Sequence, residues 1–137
     1  MKQMVVILWS LLVVVTAARG EDRVVLENVR TEWQNAYGAI IYTVLADVKN
    51  VSSSPVQFAK VKVALSDKNG QLVAERVGYN VGAEVLDTDV PGGTTAERLQ
   101  RVKPIAPGAT DLVRMSLDKS DIGKPFRTTS VTLVEAR

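Results

Sequence analysis

Between Ile40 and Val73 the chain reads IIYTVLADVKNVSSSPVQFAKVKVALSDKNGQLV, and that stretch restricts the fold more than any other. Ile40, Tyr42, Val44, Ala46 and Val48 recur at every second position, so a strand places all five on one apolar face. Ile41, Thr43, Leu45, Asp47 and Lys49 fall on the opposite face, which turns polar toward its end. Asn50-Val51-Ser52-Ser53-Ser54-Pro55 is a loop by composition, and Pro55 disfavours helix at Ser54. The next alternation runs from Val56 to Ser66, with Val61, Val63 and Leu65 inward and Lys60 and Lys62 outward. Asp67-Lys68-Asn69-Gly70 closes it, and Asn-Gly suits the two positive-φ positions of a type I′ hairpin turn. Leu72 to Val77 is the return strand. Strand, turn, strand, turn, strand is the pattern of an antiparallel sheet.

The flanking segments extend it. Arg23 to Trp33 reads as a strand, and Asn35-Ala36-Tyr37-Gly38 as the turn into the Ala39–Lys49 strand. Val81 to Leu86 is expected to be a short strand. Thr94-Thr95-Ala96-Glu97 fits the S/T-x-x-E capping box of a helix start. Leu99 and Val102 alone give little helical period, however, and a strand over Ala96 to Val102 is favoured. Pro107 and Gly108 suit positions i+1 and i+2 of a type II turn. Asp111 to Leu117 and Thr128 to Ala136 are further strands, separated by a loop over Asp118 to Phe126. About seven short strands with turn signals between them point to a single immunoglobulin-like antiparallel β-sandwich.

The first twenty residues stand apart from this domain. Lys2 is followed by an apolar stretch from Met4 to Val15, and then by Thr16-Ala17-Ala18-Arg19-Gly20. Ala18 and Gly20 sit at −3 and −1 of a cleavage site before Glu21, so residues 1–20 read as a secretory signal peptide and 21–137 as the β-sandwich domain. Twelve apolar residues fall short of the roughly 20 that a helix needs to cross about 30 Å of hydrocarbon. The expected location is extracytoplasmic, periplasmic or secreted, with no stable membrane span after cleavage.

Charge and composition exclude several functions. The full chain has 17 basic and 15 acidic residues. Without Lys2 and Arg19 the domain is neutral, which gives no overall drive toward nucleic acid. The chain contains neither His nor Cys. That removes Ser-His-Asp and Cys-His catalysis, imidazole and thiolate metal sites, and disulfides. Met115 stands alone in the domain and does not form a copper-binding cluster. Asp87 and Asp89, near Glu84, are an oxygen-rich group, but without calcium-loop spacing they read as turn residues. Asp118 and Asp121 read as solvated loop residues. Asn50-Val51-Ser52 fits the N-glycosylation sequon, a short and frequent motif. No cofactor, metal or catalytic residue is expected, and the protein is expected not to be an enzyme.

Val48-Lys49-Asn50, the Ser52–Pro55 loop, Val63-Ala64-Leu65-Ser66-Asp67, Gly70 and Ile105-Ala106-Pro107-Gly108 together resemble the FxLYD family of small extracytoplasmic bacterial β-sandwich domains. Leu65, Asp67 and Gly70 match the family pattern, while Val63 replaces its Phe and Ser66 its Tyr. The resemblance spans about Ala39 to Leu117. It implies an immunoglobulin-like sandwich outside the cytoplasm and no catalytic residues.

The remaining functional expectation is binding. A protein partner or envelope component is expected, with exposed strand edges as a physical means of docking. The alternative is a polysaccharide- or small-ligand-binding module that uses loop aromatics. Trp33 and Tyr79 are the candidate aromatic contacts, with Tyr37 also expected near the surface. Arg98 and Arg101, together with Lys103, are the candidate cationic contacts. The irregular region from Gly78 to Lys103 is where a site is expected.

Overall fold

The computed structural model describes residues 12–17, 23–87 and 93–137. Strands are β1 Leu12–Ala17, β2 Val24–Ala36, β3 Ala39–Asn50, β4 Ala59–Ser66, β5 Leu72–Tyr79, β6 Thr110–Asp118 and β7 Thr128–Ala136. A 3-10 helix spans Val81–Leu86. Two short helices follow, α1 Thr95–Leu99 and α2 Lys119–Ile122. One sheet has the order β2-β3-β6 and the other β1-β7-β4-β5. The fold is an all-β sandwich. The six strands from β2 to β7 pair antiparallel within each sheet, and β1 joins β7 in parallel.

The alternation in the sequence becomes the core. Tyr42, Val44, Ala46 and Val48 of β3 are buried, and they meet Val61, Val63 and Leu65 of β4 across the sheet interface. Val113, Met115 and Leu117 of β6 and Val131 and Leu133 of β7 complete the packing. Ile40, at the start of the β3 alternation, is 40% exposed because it lies beside the β2–β3 turn. Tyr42 is fully buried at the centre. Its ring lies 4.8 Å from that of Trp33 and 5.0 Å from that of Phe126. Its hydroxyl is 2.7 Å from Thr129 Oγ1, and burial raises its pKa above the ordinary tyrosine value. Trp33 is therefore a half-buried packing partner of Tyr42 and Phe126.

The type I′ geometry expected at Asn69-Gly70 is found instead at the Asn35–Gly38 turn, for which no type was expected. The β2–β3 link is the tight one, with Tyr37 and Gly38 both at positive φ (52° and 84°), as a type I′ turn requires. In the Asp67–Gly70 turn only Gly70 has positive φ, and its N–H donates to Asp67 O at 3.0 Å. The Asp67 carboxylate accepts from the N–H groups of Asn69 and Gln71, at 2.8 and 3.0 Å. This side-chain turn at Asp67 competes with the Asn-Gly geometry and wins. The Ala106–Ala109 turn is as expected: Ala109 N–H bonds Ala106 O, and Gly108 has φ +79°.

Three other expectations are corrected. Val81–Leu86 is a 3-10 helix, because Asn80 O accepts from Ala83 N–H and draws the backbone into a turn instead of a ladder. The Thr94–Glu97 box does cap a helix: Thr94 Oγ1 accepts from Glu97 N–H at 3.2 Å, and Thr95–Leu99 is helical. Local capping thus outweighs the weak apolar period. Within the expected Asp118–Phe126 loop, Lys119–Ile122 forms one helical turn capped by Asp118, whose carboxylate accepts from Ser120 N–H at 2.9 Å. These changes leave six strands between Arg23 and Arg137, where about seven were expected. The expected cleavage positions Ala18 and Gly20, and Asp89, lie outside the described residues.

Two fully buried asparagines tie the sheets together. Asn50 Nδ2 donates to Ser54 O and Ile105 O, at 2.9 and 2.8 Å, and its Oδ1 accepts from Ser52 N–H. Asn80 Oδ1 accepts from Ala59 N–H at 2.9 Å, and its Nδ2 donates to Asp111 Oδ2 at 2.7 Å. Asn50 is the sequon asparagine. Its amide is buried and fully used, so the folded chain offers no access for glycosylation.

Replacing Asn80 with Ala leaves Ala59 N–H without its acceptor and takes from Asp111 Oδ2 one of its donors, the other being Gly82 N–H. The expected loss is about 2–4 kcal/mol in urea unfolding, from unsatisfied buried groups. A loss below about 1 kcal/mol would show that the clamp is dispensable. Asp118 provides a pH test. Its bonds to the Ser120 backbone and hydroxyl lower its pKa below the ordinary carboxylate value. The cap is therefore intact above the unfolded-state pKa and is lost as pH falls through the lowered folded value. Exchange protection of the Ser120 amide should fall over that acidic window, and protection that stays constant would sink the assignment.

Candidate functional site

Residues 80–87 and 93–109 lie between β5 in one sheet and β6 in the other, and they build a cavity. Asn80 begins it by anchoring to Ala59. Gly82 N–H then donates to Asp111 Oδ2 at 2.8 Å, which pins the 3-10 helix against the start of β6. Lys103 N–H donates to Gly82 O at 2.8 Å and brings the chain back beside that helix. Ala83, Leu86 and Val102 are buried there with Phe58, forming a small apolar cluster separate from the main core.

Helix α1 lies over this cluster and leaves a cavity of about 350 Å³. Phe58 and Tyr79 form one wall, in an edge-to-face pair with ring centroids 5.6 Å apart. Leu86 and Leu99 add apolar surface, while Thr95, Arg98, Gln57, Glu135 and Arg137 supply polar groups. Phe58 is held there because its N–H donates to Arg137 O and its carbonyl accepts from Arg137 N–H, a bridge that prolongs the pairing of β4 with β7. Lys60 Nζ sits 5.9 Å from the Tyr79 ring centroid, within reach of a cation–π attraction.

Arg98 is the distinctive group in this wall. Its Nη1 donates to Asp87 O at 3.3 Å, but its Nε is buried and has no hydrogen-bond partner among the described residues. A buried donor without an acceptor costs about 1–3 kcal/mol, a cost that a bound carbonyl or carboxylate oxygen would remove. Arg137 is already paired, its Nε 2.8 Å from Glu135 Oε1. The local charge is cationic, with Lys60, Arg98 and Arg137 against Glu135. Apolar walls with a few converging polar groups are the usual form of a binding pocket.

Of the four residues singled out by sequence, Tyr79 and Arg98 meet in this cavity. Arg101 follows α1, donating its N–H to Arg98 O at 3.0 Å, and does not line the cavity. Trp33 is in the aromatic cluster around Tyr42, on a different part of the molecule. Phe58, Leu86, Leu99 and Arg137 are lining residues that sequence reasoning does not find. No local pattern marks them, since they come from four separate elements. A second cavity, of about 450 Å³, lies between the Asp67–Asn69 turn and Lys124–Arg127. Its Asp67 carboxylate is already engaged by the turn backbone. Among the described residues, no three of His, Cys, Asp and Glu gather as metal ligands.

Comparisons with protein-family models, with curated proteins and with solved structures find no match to this chain.

Helix α1 is short, and Thr94 is its only side-chain N-cap. Thr94→Ala should cost the helix about 1 kcal/mol. Because α1 buries none of its residues fully, amide exchange should accelerate over Thr95–Leu99 while the global unfolding midpoint changes little. A large drop in global stability would mean that α1 belongs to the core and does not act as a separate cover.

Proposed function

We propose that this chain is an exported, non-enzymatic β-sandwich module that binds a protein partner in the cell envelope, with the cavity beneath α1 as its docking point. The observation that carries the reading is the junction of the Phe58–Tyr79 pair with Arg98, whose buried Nε lacks an acceptor among the described residues. An aromatic wall beside an arginine is the composition of an interface hot spot. A partner would insert an apolar side chain against Phe58 and Tyr79 and present an oxygen acceptor to Arg98. Export rests on the leader-like residues 1–20. The FxLYD resemblance supports an extracytoplasmic setting, and the lack of His and Cys supports a binding role over a catalytic one.

The test is affinity capture from envelope extract with the wild-type chain and with Arg98→Gln and Tyr79→Ala. The expected outcome is one stoichiometric protein, its recovery reduced about tenfold or more by either change, in line with hot-spot losses above about 1.4 kcal/mol. Thermal melts must show both variants folded. Retention on peptidoglycan or a glycan array that depends on Tyr79, with no protein recovered, would transfer the assignment to the polysaccharide-binding alternative.

A further inference from the structure

We propose that the outer edge of β7 is a strand-acceptor site, which takes an extended, uncharged, β-branched segment of a partner protein, laid parallel to β7. The first observation is the occupant already there. Leu12–Ala17, the sequence Leu-Val-Val-Val-Thr-Ala, pairs with β7 in continuous register from Leu12 opposite Thr128 to Ala17 opposite Leu133. It also lies beside β2 of the other sheet, so it closes the side of the sandwich where β7 and β2 would both be edges. The inward residues of β7 along that ladder, Thr129, Val131 and Leu133, are core residues. The edge therefore borders the core directly.

The second observation is how the other edges are protected. Exposed strand edges are blunted by charge, bulges or proline, because unpaired N–H and C=O groups otherwise recruit another strand. Edge strand β2 carries Glu27, Arg30 and Glu32, and has a register break between Glu27 and Arg30 where Asn28 takes a positive φ of 53°. Edge strand β5 carries Glu75 and Arg76, and edge strand β6 carries Asp111, Arg114 and Asp118. The β7 ladder residues 128–133, Thr-Thr-Ser-Val-Thr-Leu, have no charge, no proline and no break in their pairing with β1. Such an edge is suited to being covered.

The occupant, however, lies within the residues assigned to the signal peptide. Their removal on export takes the neighbouring strand from the outer backbone edge of Thr128–Leu133, while the β4 side stays paired. The segment that replaces them must match the backbone register that Leu12–Ala17 holds and the composition of that sequence, which is uncharged and rich in β-branched residues. This is strand addition, in which main-chain bonds give affinity and alternate side chains give specificity. The inference rests on the export reading, and the test separates the two.

The chain is purified from the envelope of exporting cells, and its intact mass is measured. The probe is a labelled Leu-Val-Val-Val-Thr-Ala peptide with a polar tail, followed by fluorescence anisotropy and by amide exchange. The expected result is a mass lacking residues 1–20, saturable binding, and new protection confined to Thr128–Leu133. A peptide with proline at the position of Val14 should bind about tenfold more weakly or worse, through lost backbone bonds. Unprocessed chain should also bind it about tenfold more weakly or worse, since its own strand holds the edge. A mass that retains residues 1–20 overturns the leader reading and makes β1 the permanent occupant, which overturns the proposal too. A processed chain that shows no protection at Thr128–Leu133 overturns the acceptor edge alone. A processed chain that dimerises through β7, detected by cross-links between β7 residues, assigns the edge to a second copy and overturns the partner strand.

Discussion

The Asn80 amide is the contact on which the path of the chain depends. It sits at the end of β5, where the chain must leave one sheet and enter the other. The Asn80 backbone is itself paired, its N–H donating to Ala59 O and its main chain bridging Val113 of β6, but the groups around it must be satisfied outside a regular ladder, and burying them unpaired is expensive. Asn80 resolves this with one side chain, accepting from Ala59 N–H and donating to Asp111 at the head of β6. The same Asp111 oxygen accepts from Gly82 N–H, so one carboxylate fixes both ends of the crossing. Asn50 does the equivalent work at the end of β3, joining the loop at Ser54 to the chain at Ile105. Two buried amides reinforce the joining of two sheets whose main chains meet, among the described residues, in the single Asn80–Val113 bridge and not in an extended ladder.

This arrangement explains which parts of the fold are legible in the sequence. Alternation over Ile40–Val48 and Val61–Leu65 assigns strands and faces because one face of each is buried, and a strand's period of two leaves no choice of side. Pro107-Gly108 is legible because the proline ring locks φ at about −65° and glycine, lacking a Cβ, accepts the positive φ that the next position needs. The Val81–Leu86 and Thr95–Leu99 helices are not, because both are shorter than the window over which a helical period becomes visible. Their geometry comes from single hydrogen bonds, Asn80 to Ala83 in one and Thr94 to Glu97 in the other. Asn69-Gly70 misleads for a similar reason: the Asp67 side chain two residues earlier captures the turn first.

The residues that carry the FxLYD resemblance can be judged on the same physical terms. Asn50 is a corner clamp, Leu65 a fully buried core side chain, Asp67 a turn acceptor, and Gly70 and Gly108 the positive-φ positions of two turns. Each has a scaffold role that any sandwich with these turns would need. The cavity was legible only by region. Gly78 to Lys103 stood out for its irregularity, and Tyr79 and Arg98 for their chemistry, but Phe58 and Arg137 reach the site only through the pairing of the chain's last residues with the segment before β4.

The scaffold and the candidate surfaces are therefore coupled in one place and independent in another. The cavity hangs from the Asn80 corner. Tyr79 precedes the clamp directly, and Phe58 precedes Ala59, the residue to which Asn80 bonds. A change at Asn80 would move both aromatic rings relative to Arg98, so a binding defect there could not be separated from loss of fold. The β7 edge differs. Its inner side is secured by the β4 ladder from Ala59 to Ser66, and Tyr42 braces its start through Thr129. Its outer backbone can exchange one strand for another while the inner ladder remains paired. A surface that changes occupant needs that separation, because the free energy of the exchange then resides in the added ladder and leaves the core intact.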